Sequence, residues 1–214
     1  MRALGFIIKL FFLLVFPFIL LIRLSVYFHV TEKLIPWAAI GGGILYTTIL
    51  LFFYFTFLDG RFLKRDHRRP SIKNRFLIAL ILVVLYSGHG LFYFSGDNLK
   101  SSELKSEMRR IHPILRLSVS TLIHLDKGLI ITDADRLPED YRKMGLKSKS
   151  GSLHYEQSNG YAHAIDIRVK GRNEIRNFLI RSYFGLMGFN TLRHGGTADH
   201  LHVSLKSHDR PWAK

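Results

Sequence analysis

The sequence predicts an α+β protein: three transmembrane helices, then a small domain with segregated helices and a short, mostly antiparallel sheet. Two observations carry this. Apolar residues make up 48% of the 214-residue chain and are concentrated in residues 1–96, where three stretches are each long enough to cross a bilayer. The remaining 118 residues mix helical and strand periodicity and suffice for one core. The chain therefore divides into a membrane domain, 1–96, and an extracytoplasmic domain, 97–214.

The expected spans cover about residues 4–29, 34–58 and 76–94. Lys9 and Arg23 lie near the ends of the first, where long cationic side chains reach the headgroups. Basic residues in front of the run Leu10–Ile22 resemble a signal peptide, but Arg23–Val30 follows with no small-x-small cleavage site, so an uncleaved anchor is expected. Gly41, Gly42 and Gly43 allow close helix approach in the second span. Orientation follows from loop charge. Seven Lys or Arg occupy Asp59–Arg75, against Lys33 alone in Val30–Lys33. Positive loops stay in the cytoplasm. The expectation is a multi-pass cytoplasmic-membrane protein with its N-terminus inside and residues 97–214 outside.

The net charge of +15 divides into +8 for residues 1–96 and +7 for the rest. A domain at +7 suits anionic lipid or an anionic wall polymer. No helix-turn-helix, zinc-finger or RNA-binding sheet signature accompanies it, so nucleic acid is not an expected partner. There is no cysteine, so disulfides, thiolate metal sites and cysteine nucleophiles are excluded. Any metal must be held by His, Asp or Glu.

Along the second half, Asp97–Ser102 reads as a short polar linker and Ser102 as the cap of a first helix. Pro113 opens a second helix with Leu115, Val119, Leu122 and Ile123 on one face. Gly128–Thr132 reads as a short buried strand and Pro138–Met144 as a short helix. Ala162–Val169 is a partly alternating strand. Asn173–Met187 is a helix with Ile175, Phe178, Leu179 and Leu186 expected inward, ended by Gly188. Leu201–Leu205 is the final strand.

Three segments place metal-ligating residues where a site would use them. Ser152-Leu-His154-Tyr-Glu enters a strand, Ala164-Ile-Asp166-Ile lies in it, and Asp199-His200-Leu-His202 runs into the last strand. Strand side chains repeat every two residues, so His200 and His202 share a face. Two His and one carboxylate suit a zinc site with a fourth position open to water. A single histidine is more often a core or surface residue than a ligand, and Arg136 alone reads as an ion pair with Asp133, Asp135 or Glu139.

Taken together, these segments resemble the Ser-x-His-x-x-Gly-x-Ala-x-Asp motif and second His segment of the LAS superfamily. That group joins lysostaphin-type peptidases, D-Ala-D-Ala metallopeptidases and the hedgehog signalling domain. Ile131-Thr132-Asp-Ala-Asp-Arg136-Leu-Pro138-Glu139 resembles the Ile-Thr-x-x-x-Arg-x-Pro-Glu segment of the D-Ala-D-Ala peptidases, and the order of the segments matches over about residues 100–206. The resemblance implies a small hedgehog/DD-peptidase-like zinc domain. It implies His154, Asp166 and His202 as ligands of one Zn2+, Asp199 as catalytic base, and His200 as the residue that steadies the transition state. Arg136 would bind a substrate carboxylate or developing oxyanion. One departure stands out: Asp166 follows His154 by twelve residues where the family has seven. Gln157–Tyr161 is thus a five-residue insertion, and His163 is the substitute ligand if that loop does not bulge outward.

The function implied is a zinc metallopeptidase acting on peptidoglycan stem peptides, as a D,D- or L,D-carboxypeptidase or endopeptidase. Two alternatives compete with it: a non-catalytic zinc-binding recognition or signalling module, and a scaffold subunit whose helices engage a membrane protein partner.

Overall fold

The structure is a computed structural model that describes residue 5 and residues 15–58, 71–136, 138–143, 145, 147, 151–196 and 198–209. Most of the basic loop, residues 59–70, lies outside the described residues, as do residues 6–14 of the first expected span and Met144.

Among the described residues, three long helices come first. Helix α1 is Phe16–Val30, α2 is Pro36–Phe53 continued by a π-helical turn Tyr54–Leu58, and α3 is Ile72–Phe92. Among the described residues two helices are long and apolar enough to cross a membrane, Pro36–Phe57 and Ile72–Phe92. The described part of the first expected span, α1, is 15 residues, shorter than a bilayer requires. Pro17 and Pro36 sit in the first turns of α1 and α2, where a missing N–H costs nothing. Ser71 caps α3 by accepting a hydrogen bond from the Asn74 amide. Gly43 lets α1 and α2 touch: a Cβ there would lie 2.4 Å from Ser25 Oγ and 2.7 Å from the Leu21 carbonyl. Gly42 faces Phe28, and Gly41 faces open space. Of the three glycines, then, Gly42 and Gly43 mediate close approach.

The domain is α+β with a four-stranded, wholly antiparallel sheet ordered β1-β2-β4-β3. After a short helix α4 (Leu104–Glu107) come α5 (Pro113–Leu125), β1 (Ile131–Asp133), α6 (Pro138–Lys143), β2 (Ala164–Arg168), α7 (Glu174–Met187), β3 (Asn190–His194) and β4 (His200–Ser204). Ile165, Ile167, Leu201 and Val203 are buried on one face of the sheet, with Phe184 and Met187 of α7 in the same core. Leu115, Val119, Leu122 and Ile123 of α5 are buried as expected, but so are Ile114 and Leu117, because α5 also packs against α1, α2 and α3.

Three expectations are corrected. Ile175, Phe178, Leu179 and Leu186 point outward, each more than half exposed, while Asn177, Ile180, Phe184 and Met187 are the buried face of α7. Both sides of that helix carry apolar residues, so periodicity alone does not choose between them. Asp97–Ser102 is not a free linker: Asn98 is buried and donates to the carbonyls of Lys127 and Leu129, and Leu99 pairs with Ile131. The edge strand β3 has no counterpart among the expected elements.

The domain packs on one end of the helical hairpins. Trp37, at the start of α2, donates from Nε1 to Tyr161 Oη (3.2 Å), and Arg23 Nη1 donates to the Met187 carbonyl. Near the end of α3, Tyr86 bonds Thr121, and Gly90 lies against Leu117. The helix ends that flank residues 59–70 are the opposite ends of α2 and α3, about 30 Å away for helices of this length.

Candidate metal centre

Sheet register assembles the centre. Asp166 and His202 are direct cross-strand partners, as are Arg168 and His200, and His194 stands opposite His200. These residues share the face opposite the α7 core, because side chains alternate along each strand. His154 reaches the same face from the loop ahead of β2. Its amide donates to Ser152 Oγ, and Ser152 Oγ in turn bonds Tyr141 Oη at 2.8 Å.

His154 Nε2, Asp166 Oδ1 and His202 Nδ1 form a triangle. The edges are 3.2 Å between the imidazoles, 3.3 Å from His154 to Asp166 and 3.0 Å from His202 to Asp166. A tetrahedral ion with bonds of about 2.0 Å separates its ligands by about 3.3 Å, so the triangle has the dimensions of a zinc ligand set. The donor chemistry fits as well. His154 Nδ1–H donates to the Ala134 carbonyl at 2.6 Å, which leaves Nε2 as a lone pair aimed at the other two atoms. Two nitrogens and one carboxylate oxygen suit zinc among the common divalent ions. The group lies in a cleft of about 770 Å³ lined also by Arg136, Lys147, His194, His200 and Lys206.

Asp166 is buried, and burial alone would raise its pKa. The contacts with the His154 and His202 rings and the charge of Arg136 outweigh that and hold it well below the usual carboxylate range. Arg136 Nη2 bonds Asp166 Oδ2 at 2.7 Å while its Nε donates to Asp133 Oδ2 at 2.7 Å. The irregularity between Ile131 and Asp133 in β1 brings Asp133 level with Asp166. Arg136 therefore occupies the outer oxygen of Asp166 and turns Oδ1 toward the imidazoles. It is engaged by two protein carboxylates and also lines the cleft.

His200 Nδ1–H donates to the Ala198 carbonyl at 2.7 Å, and its Nε2 lies 3.6 Å from Asp166 Oδ2 on the cleft side. Asp199 does not join the group. It has the strand parity of Leu201 and Val203, and Arg193 grips it through two bonds of 3.0 and 2.6 Å while also binding Glu174 of α7. That ion pair lowers the Asp199 pKa. Asp199 lines an adjoining cleft together with Asp166, His200, Arg136 and the basic residues Lys100, Arg168 and Lys170.

His163 is not the substitute ligand. It has the opposite parity to Asp166, and its ring bonds the Leu205 carbonyl and Asn159 Oδ1. The Gln157–Tyr161 insertion lies against the start of α2 through Tyr161, so the ligands on either side of it still meet. His194, whose ring centroid lies 5.0 Å from that of His200, had no role assigned from the sequence. The signal for it lay in the strand β3, which sets its register with β4.

No protein-family model, curated protein or solved structure matches this chain.

Proposed function

We propose that the chain is a membrane-anchored zinc hydrolase of peptide bonds, acting on peptidoglycan stem peptides outside the cytoplasmic membrane. The observation that carries this is the His154–Asp166–His202 triangle, with zinc dimensions, on the floor of an open cleft. The quoted motifs, similar to those of the LAS superfamily, supply the substrate class. Lys147 and Lys206 on the cleft wall suit the carboxylates of such peptides. The basic connection 59–75 supplies the side of the membrane.

Zinc held by the three ligands would supply an activated water near neutral pH and polarise a scissile carbonyl. The chain's own residues do the rest. His200, with its proton fixed on Nδ1 by Ala198, offers Nε2 as the proton acceptor and returns that proton to the leaving amine. Arg136 keeps Asp166 ionised and oriented. Digestion of purified muropeptides by the detergent-solubilised full chain, followed by mass analysis, tests the reading. Release of terminal D-alanine marks a carboxypeptidase, cleavage of a cross-link marks an endopeptidase, and an intact digest from zinc-loaded protein refutes both.

A second reading has its own support. Asp199 is held by Arg193, and among the described residues lining the cleft Asp166 is the one carboxylate, which suits a zinc-binding recognition module without turnover. Stoichiometric zinc with no hydrolysis selects it.

A further inference from the structure

The junction between α1 and the domain holds a second group of ligating atoms. His29, fully buried near the end of α1, meets His208 and Asp209, which follow β4, and one ligand atom from each lies within 4.8 Å of the others. His29 Nε2 is 3.4 Å from Asp209 Oδ2, and His208 Nε2 is 3.6 Å from Asp209 Oδ1. The two contacts run to different oxygens, so the Asp209 carboxylate bridges the two imidazoles. His29 Nδ1–H donates to the Leu34 carbonyl at 2.8 Å, so the lone pair is on Nε2. That nitrogen makes no hydrogen bond among the described residues although it is buried. Native proteins rarely leave such an atom without a partner.

The surroundings hold this arrangement. Asp209 accepts from Ser158 Oγ at 3.2 Å and Asn159 Nδ2 at 2.9 Å. The Gln157–Tyr161 insertion therefore presents the Asp209 carboxylate to His29. The His112 ring lies tilted 4.6 Å from that of His29, but its Nδ1 accepts from the Ile114 amide as the cap of α5, which places its own proton on Nε2. His163 is occupied on both nitrogens. Neither competes as a ligand. Both wall the site.

We infer that His29, His208 and Asp209 form a second site for a zinc-class divalent cation, which clasps the segment after β4 and the 157–161 loop to helix α1. The ligand set is again two imidazoles and one carboxylate, but here it joins the membrane part to the domain rather than facing the cleft. Its role is structural: closing the site fixes the C-terminal segment and the insertion against the hairpin.

The test uses the full chain in detergent, stripped with chelator, reloaded with ZnCl2 and assayed for bound metal. Wild type is expected to hold about two zinc ions, His154→Ala about one, His208→Ala about one, and the double variant none. His208 is partly exposed, so its replacement spares the core. His208→Cys, which keeps a ligand, should restore the lost ion, and Asp209→Asn, which keeps an oxygen to accept from Ser158, should lose it. One zinc in wild type, absent from His154→Ala and unchanged in His208→Ala and Asp209→Asn, overturns the second site and leaves the cleft reading standing. One zinc lost in His208→Ala but kept in His154→Ala supports the junction site and overturns the cleft reading instead.

Discussion

At the scale of single residues, the division of labour around Asp166 is what the structure adds. Strand parity puts His200 over the cleft while Arg193 holds Asp199, so in the proposed reaction the proton acceptor is His200. His200→Ala should keep its zinc and lose muropeptide turnover by roughly 10²-fold, the contribution of a positioned general base. Asp199→Ala should stay within a few-fold of wild type, because its carboxylate serves Arg193; the reverse ranking in a rate assay would return the role to Asp199. Arg136→Met removes the partner that turns Asp166 toward the imidazoles, and zinc affinity in a competition titration should fall by about 10–100-fold. An unchanged affinity would show that Asp166 needs no orienting group. The convergence of His154, Asp166 and His202 was legible in the sequence because a His-x-His pair in a strand and a Ser-x-His entry each constrain a face. The direction of Asp199 was hidden by counting residues along the chain instead of alternating them across the sheet, and His194 was hidden because a lone histidine in a polar stretch carries no pattern.

Among elements, the outcome follows from how much burial each one has. Strands β2 and β4 are buried on the core face and were readable from their apolar residues. Strand β3, Asn-Thr-Leu-Arg-His, is an edge with mostly exposed side chains, so it has no apolar alternation to read. Helix α7 is apolar on two sides, and only the sheet decides that Ile180, Phe184 and Met187 go inward. The five-residue insertion was legible as a turn from Asn159 and Gly160, the latter with φ of 81°. Its docking on α2 was not, since that depends on Trp37, far away in the chain. The α1–α2 contact gives a prediction at this scale. Gly43→Ala forces a methyl against Ser25 and the Leu21 backbone and should destabilise the hairpin by about 1–3 kcal/mol, the usual cost of overpacking. Gly41→Ala meets nothing within 4 Å and should be neutral. Thermal unfolding in detergent, followed by tryptophan fluorescence, separates the two, and equal melting temperatures would place the contact elsewhere.

For the whole molecule, the helices and the domain share one core, with α5 packed against α1–α3 and against α7. The domain meets the hairpin ends farthest from the basic connection, which fits a domain outside the membrane and basic residues within. A reporter after Lys214 should therefore register the outer side and one near Arg68 the cytoplasm; a cytoplasmic C-terminus would remove the cell wall as substrate. Everything rests, however, on the cleft being a working zinc centre. The most direct measurement follows muropeptide hydrolysis by the chelator-stripped full chain as zinc is returned, with His154→Ala and His202→Ala alongside. Turnover in the wild type should be absent without metal, rise as the His154–Asp166–His202 centre fills, and remain absent in both variants at any zinc level. Hydrolysis that persists in the stripped protein, or that survives loss of either histidine, would contradict the assignment.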